Sequence, residues 1–185
     1  MNMFLVHEQS VTFAPFKNTF EVLYAEHMNH YVQFSSSEIG FLLKPNIAIA
    51  PSSQRHDCEV ITGDGEKTTA KFLAVHKGFN YSLFYIKKTP VQEIMTFRRK
   101  PVRHDTFLFR IDVIGNVISV CTPVPAPEAK RITIRYEHVS DFLPIFDRFG
   151  HLVGMSLGRY NKHLVCAEAL ELNNLVQWSK QSTTD

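Results

Sequence analysis

Ser140-Asp-Phe-Leu-Pro-Ile-Phe-Asp-Arg-Phe-Gly-His-Leu-Val-Gly-Met155 holds two apolar runs around a tight turn. Phe142 to Phe146 and Leu152 to Met155 have the length of strands. Asp147-Arg-Phe-Gly150 between them carries turn chemistry, because Gly150 is free to take positive φ. The stretch reads as a β-hairpin. Upstream, Ile132-Thr-Ile-Arg-Tyr136 has period 2, and Asp105 to Val113 alternates, with Phe107, Phe109, Ile111 and Val113 on one face and Leu108, Arg110 and Asp112 on the other. Gly115-Asn116 turns that strand into Val117 to Thr122. Downstream, His163 to Ala169 reads as a last strand. Leu170 to Lys180 reads as an amphipathic helix whose stripe is Leu172, Leu175, Val176 and Trp178.

Composition agrees with an all-β chain. The 185 residues suffice for one good core or two small ones, and fifteen Phe against eight Gly favour strands with packed aromatic faces. Twenty Lys and Arg against 18 Asp and Glu leave a net charge of +2, too small to attract a polyanion through the overall field. The first residues have no basic segment ahead of their short apolar run, so a secretory signal is not expected. No apolar run nears the roughly 20 residues that span a bilayer. Three widely spaced cysteines, Cys58, Cys121 and Cys166, favour reduced structural thiols and a cytoplasmic setting.

The amino-terminal half reads as follows. Residues 1 to 18 form an edge strand or packed arm. Phe20 to Phe34 suggests a hairpin turning near Asn29, with a helix over 19 to 27 as the other reading. Gly40 to Leu43 and Ile47 to Ala50 are strands joined by Lys44-Pro-Asn46. Cys58 to Ile61 and Thr68 to Val75 pair across the Gly63-Asp-Gly65 turn, and Tyr81 to Ile86 follows as a strand. Thr89 to His104 is a connector with two prolines in which Arg98, Arg99, Lys100 and Arg103 cluster. Pro123 to Lys130 is a short proline-rich loop.

The hairpin resembles the nucleophile hairpin of chymotrypsin-like serine proteases, nearest to the HtrA branch. There, Gly-x-Ser-Gly-Gly-Pro-Leu-Phe-Asp precedes a glycine turn and a Val-Val-Gly-type strand. Aligned on Pro144, the match keeps Phe146, Asp147, Gly150, Val153 and Gly154 in step, with Ile145 for Leu. Ile39 to Gln54 is similar to the family's Gly-Phe-Leu-Ile, turn, Tyr-Ile-Leu-Thr-Asn-x-His block, and Cys58 to Val75 to its Val-x-x-x-Asp-Gly-x-x-x-x-Ala-x-Val block. Asn80 to Lys87 matches the strand that opens on the catalytic Asp. The resemblance, over roughly residues 39 to 180, implies a two-barrel trypsin-like (chymotrypsin-fold) domain with a C-terminal helix. The implied divisions are 1–94 for the N-terminal barrel, 95–104 for the linker, 105–169 for the C-terminal barrel and 170–180 for the helix.

The same alignment puts Ser53, or Ser52 with the gap placed differently, at the catalytic histidine, Asn80 at the aspartate and Asp141 at the nucleophile. Phe142 and Leu143 replace two glycines, and Val139 stands at the oxyanion-hole glycine. A hydroxyl is no base near neutral pH, an amide does not orient an imidazole by charge, and the triad members act as a unit. Ser140 lies one residue early, and a one-residue slip in an extended segment turns a side chain to the opposite face. The resemblance therefore implies an inactive protease homologue, without cofactor or metal. It would act as a protein-binding, scaffold or regulatory subunit, holding another protein, for instance by an extended peptide. Phe142 and Leu143, and the cations Arg98, Arg99, Lys100 and Arg103, are its candidate contact residues.

Two other classes of reading stay open. One is a rebuilt centre in the former cleft, either a hydrolase using His56 with a displaced serine, or a metal held by Asp141 with His56 or His138. His27-x-x-His30 could also pair two imidazoles if helical. The other is a nucleic-acid accessory using Arg98 to Arg103.

Overall fold

The computed structural model describes residues 5–8, 17–34, 38–76, 81–112, 117–124, 133–135, 144–160, 163–168, 171–174 and 177. These carry thirteen strands, one α-helix and a turn of 3-10 helix, together with helical residues at 171–174 and 177. The chain divides into two compact units, residues 27–95 with 173–185, and residues 1–26 with 96–172.

The first unit is a closed barrel. Its strands are β2 (Tyr31–Gln33), β3 (Ile39–Lys44), β4 (Ile47–Pro51), β5 (Cys58–Thr62), β6 (Lys67–His76) and β7 (Tyr81–Ile86), joined in the order β2-β3-β4-β7-β6-β5. Closure comes from Val32 pairing with Thr62 across β2 and β5, which leaves no edge for another chain to extend. Val32, Leu42, Ala48, Ala50, Val60, Ala70, Phe84 and Ile86 fill the interior, with Phe34 and Phe72 packed against them. Phe34 and Phe72 meet Phe84 with ring centroids 4.7 and 5.7 Å away.

Two turns fix the register. Between β3 and β4, Asn46 has φ +67, its Nδ2 donates to Ile86 O at 2.7 Å, and Ile86 N donates back to Asn46 O at 2.8 Å. Asn tolerates the left-handed region because its amide bonds locally. Gly65, at φ +85, serves the turn between β5 and β6.

The hairpin expected over Phe20 to Phe34 is a helix followed by a strand. Helix α1 spans Lys17–His27, and a 3-10 turn covers Met28–His30 before β2. Leu23 and His27, four apart, are buried while Val22 and Glu26 are exposed. That spacing belongs to a helix and not to alternation.

The second unit holds a seven-stranded sheet in the order β1-β9-β8-β11-β12-β13-β10. Its strands are β1 (Leu5–Glu8), β8 (Leu108–Asp112), β9 (Val117–Cys121), β10 (Thr133–Arg135), β11 (Pro144–Phe146), β12 (Leu152–Tyr160) and β13 (His163–Glu168). β1 is the expected edge strand, and it runs parallel to β9. A closed second barrel is expected from the sequence, whereas these strands form an open order. Leu108, Cys121, Ile134, Ile145, Val153 and Cys166 make one core cluster, with Val102 against it. Val124 N, just beyond β9, donates to Thr133 O of β10 at 2.7 Å. Both faces of β8 are buried, since Leu108, Phe109, Arg110 and Ile111 are each at most 1% exposed. The alternation of the sequence thus marks two covered faces.

Candidate functional site

The loop where the resemblance places the catalytic histidine follows β4. Gln54 N donates to Pro51 O at 3.0 Å and closes it. Ser53 is exposed, and its Oγ donates to Glu38 Oε1 at 3.0 Å. Gln54 Nε2 donates to Glu38 Oε2, so both oxygens of one carboxylate are taken by neighbouring loop residues. Arg55 Nε donates to Ser52 O at 2.8 Å. At the position that the resemblance gives to the general base stands a hydroxyl that acts as a donor.

His56, the candidate replacement base, is exposed, and its neighbour Asp57 accepts Phe72 N at 2.8 Å and ties the loop to β6. Cys58 follows, its pKa raised by burial and then by the Asp57 charge, the reverse of what an activated thiol needs. His27 and His30 do come close, with ring centroids 6.0 Å apart. His30 stacks on Phe41 at 5.6 Å and its Nδ1 bonds Leu42 O at 2.9 Å. Burial lowers its pKa, against the opposing effect of that hydrogen bond. Among the described residues no group of three or more His, Cys, Asp or Glu is placed to hold a metal ion.

In the second unit the hairpin read from the sequence is present, with Ile145 opposite Gly154. Its turn is organised by Asp147, 1% exposed. Oδ1 accepts Phe149 N at 2.9 Å and His151 N at 3.1 Å, while Gly150 N donates to Asp147 O at 3.1 Å and Asp147 N to His151 O at 3.0 Å. Oδ2 accepts Arg98 Nη1 at 3.0 Å. Arg98 also donates from Nε to Lys100 O at 2.9 Å, and Arg98 N and Leu152 N pair with Leu152 O and Thr96 O, each at 2.8 Å.

Of the cations singled out in the sequence, Arg98 is therefore an internal clamp, with its guanidinium committed to the hairpin. Arg99, Lys100 and Arg103 are exposed, with Arg103 Nε 3.9 Å from Asp105 Oδ1. Asn80, Asp141, Phe142 and Leu143, and the alternatives His138 and Ser140, lie outside the described residues. A feature the sequence reading passed over is the hairpin tip: Phe149 is 67% exposed with the Arg148 guanidinium 5.2 Å above its ring. A large apolar residue in the middle of a turn, where polar residues prevail, was the available signal.

A closed six-stranded barrel, a second, largely antiparallel unit carrying the Asp147 hairpin and helical residues near the C-terminus make up the trypsin-like serine protease fold. No family model and no curated protein matches the sequence. Among solved structures, the chain is similar to a crystal structure of the Rv3671c protease in an inactive form. The TM-score is 0.62 at 13% identity, over 85% of this chain and 92% of that one. The likeness is one of fold.

Proposed function

We propose that this chain is a non-catalytic trypsin-like domain that works by holding another protein, as a scaffold or regulatory subunit of a larger assembly. The observation that carries the reading is Ser53 at the position the resemblance gives to the general base, its hydroxyl donating to Glu38. Without a base to take its proton a serine is a poor nucleophile at neutral pH. Asn80 and Asp141 at the other two aligned positions point the same way. The Val124–Thr133 hydrogen bond and a core cluster drawing on both β9 and β10 support closure of the second sheet into the fold's second barrel.

The hairpin tip is the surface suited to a partner. Phe149 projects from a turn fixed by its Asp147 bonds, and an exposed aromatic beside an arginine is the usual makeup of an interface anchor. The three cysteines, none of them in a disulfide, support a cytoplasmic setting. No helix among the described residues is long and apolar enough to cross a membrane.

The test has two arms. The purified chain is exposed to a fluorophosphonate probe and to peptide substrates, and neither labelling nor turnover is expected. Labelling that disappears in Ser140→Ala or His56→Ala would replace this reading with a rebuilt hydrolase. Affinity isolation from the native host, with Phe149→Asp as the control, is expected to retain a protein that the variant loses. Retention of nucleic acid that weakens with salt and with Arg99→Glu would favour the accessory reading instead.

A further inference from the structure

Arg110 sits in β8 at 1% exposure, and the strand register says where its side chain goes. It lies two residues from Leu108 on the same strand and directly opposite Ile145 of β11. Side chains alternate along a strand, and opposed residues of an antiparallel pair share a face. Leu108 and Ile145 both belong to the interior cluster with Cys121, Ile134, Val153 and Cys166, so the guanidinium enters that interior. Among the described residues its Nε and both Nη atoms, all buried, have no hydrogen-bond partner.

Such an arrangement is costly. A guanidinium cannot shed its proton inside a protein, and its five N–H donors have no acceptor among the described residues. A charge left unpaired in an apolar interior is disfavoured by several kcal/mol. The thiol beside it does not supply the counter-charge. Burial, and then Cys121, push the pKa of Cys166 up to about 12, with Arg110 pulling the other way, so Cys166 stays neutral at physiological pH.

We propose that Arg110 is an internal anion site, in which a small carboxylate or phosphate-class oxyanion meets the guanidinium fork inside the cluster of Leu108, Ile145, Cys121 and Cys166. The planar fork matches a two-oxygen acceptor, giving two parallel charge-assisted hydrogen bonds. The surrounding apolar side chains exclude water that would otherwise compete. An ion bound only by the folded chain stabilises it by mass action.

The full chain is tested by thermal unfolding in acetate, in formate and in phosphate, each against sodium chloride of matched ionic strength. The wild-type Tm is expected to rise by about 5–10 °C at a hundredfold excess over Kd. Arg110→Met, similar in length and uncharged, is expected to lose that response and to be at least as stable as wild type in anion-poor buffer. The site is overturned if both proteins respond alike, or if Arg110→Met is destabilised or unfolded without added anion, since the guanidinium would then already have its partner within the chain. Calorimetric titration of the wild type alone provides a second readout: saturable one-site binding of acetate, formate or phosphate is expected, and none of the three binding would also overturn the site.

Discussion

Arg98 Nη1 stands 3.0 Å from Oδ2 of Asp147, a carboxylate whose side chain is only 2% exposed. The pair staples the connector after Met95 to the hairpin turn, and the same carboxylate caps Phe149 N and His151 N. A charge this buried is stabilised only while its partners remain.

Removing one partner should therefore cost more than a surface ion pair is worth. Asp147→Ala strips the acceptor from Phe149 N, His151 N and Arg98, and is expected to lower stability by about 3–5 kcal/mol. Arg98→Met leaves two of the N–H donors in place and should cost less than Asp147→Ala. By contrast Lys67→Met, which breaks an exposed pair with Glu59, should change stability by less than about 1 kcal/mol. Urea unfolding midpoints of the three variants check the ranking, and equal shifts would refute it.

Stability should fall on mild acidification because of His30. Burial holds its folded pKa below the ordinary 6.5, so between the two values the unfolded chain binds the extra proton. The contribution is complete above pH 6.5 and is lost as pH falls through the lower, folded value. Unfolding midpoints measured between pH 8 and pH 5 should decline below 6.5, and His30→Phe should flatten that decline. An unchanged slope in the variant would assign the effect to other groups.

Gly40 and Gly65 should respond differently to substitution. A Cβ on Gly40 would lie 2.6 Å from Phe34 Cε2 and 2.8 Å from Ile49 O. The latter is backbone inside the barrel and cannot step aside, so Gly40→Ala should cost about 1–3 kcal/mol and Gly40→Asn more. Gly65 has open space but φ +85, so Gly65→Ala should cost about 1 kcal/mol, and Gly65→Asn less. Thermal unfolding of the four variants decides it, and rescue of position 40 by Asn would contradict the steric account.

Restoring an imidazole should not restore chemistry. Ser53→His returns a base to its aligned position, yet Asp141 still stands at the nucleophile, and catalytic groups that act as a unit give little singly. Peptide turnover by this variant is expected to equal the no-enzyme background. Measurable turnover would show that a hydroxyl elsewhere is already poised for attack.

Truncating Phe84 tests the barrel interior. Phe84 is fully buried between Phe34 and Phe72, and Phe84→Ala should cost about 3–5 kcal/mol. A circular dichroism melt reads this directly, and a loss below 1 kcal/mol would mean that the barrel is less tightly packed than these ring contacts imply.

By itself the sequence determined the strands and their local joints. Alternation at Asp105 to Val113, the Pro45-Asn46 and Gly63 to Gly65 turns and the Asp147 to Gly150 hairpin are short-range signals, fixed by side-chain period and by backbone freedom at single residues. The residues at positions 53, 80 and 141 are likewise plain in the sequence, and their standing at triad positions is what the resemblance implies. Tertiary structure alone decided the rest. Whether Leu23 lies on a helix or a strand depends on which residues are covered. Arg98 looked like a free cation until its distance to Asp147, 49 positions along the chain, showed it bound. Alternation put Arg110 on one face of its strand with Leu108 and Asp112 but not whether that face is covered; β11 pairs alongside it and both faces of β8 are buried. Burial and partnership depend on segments remote in sequence, which periodicity within one segment does not report.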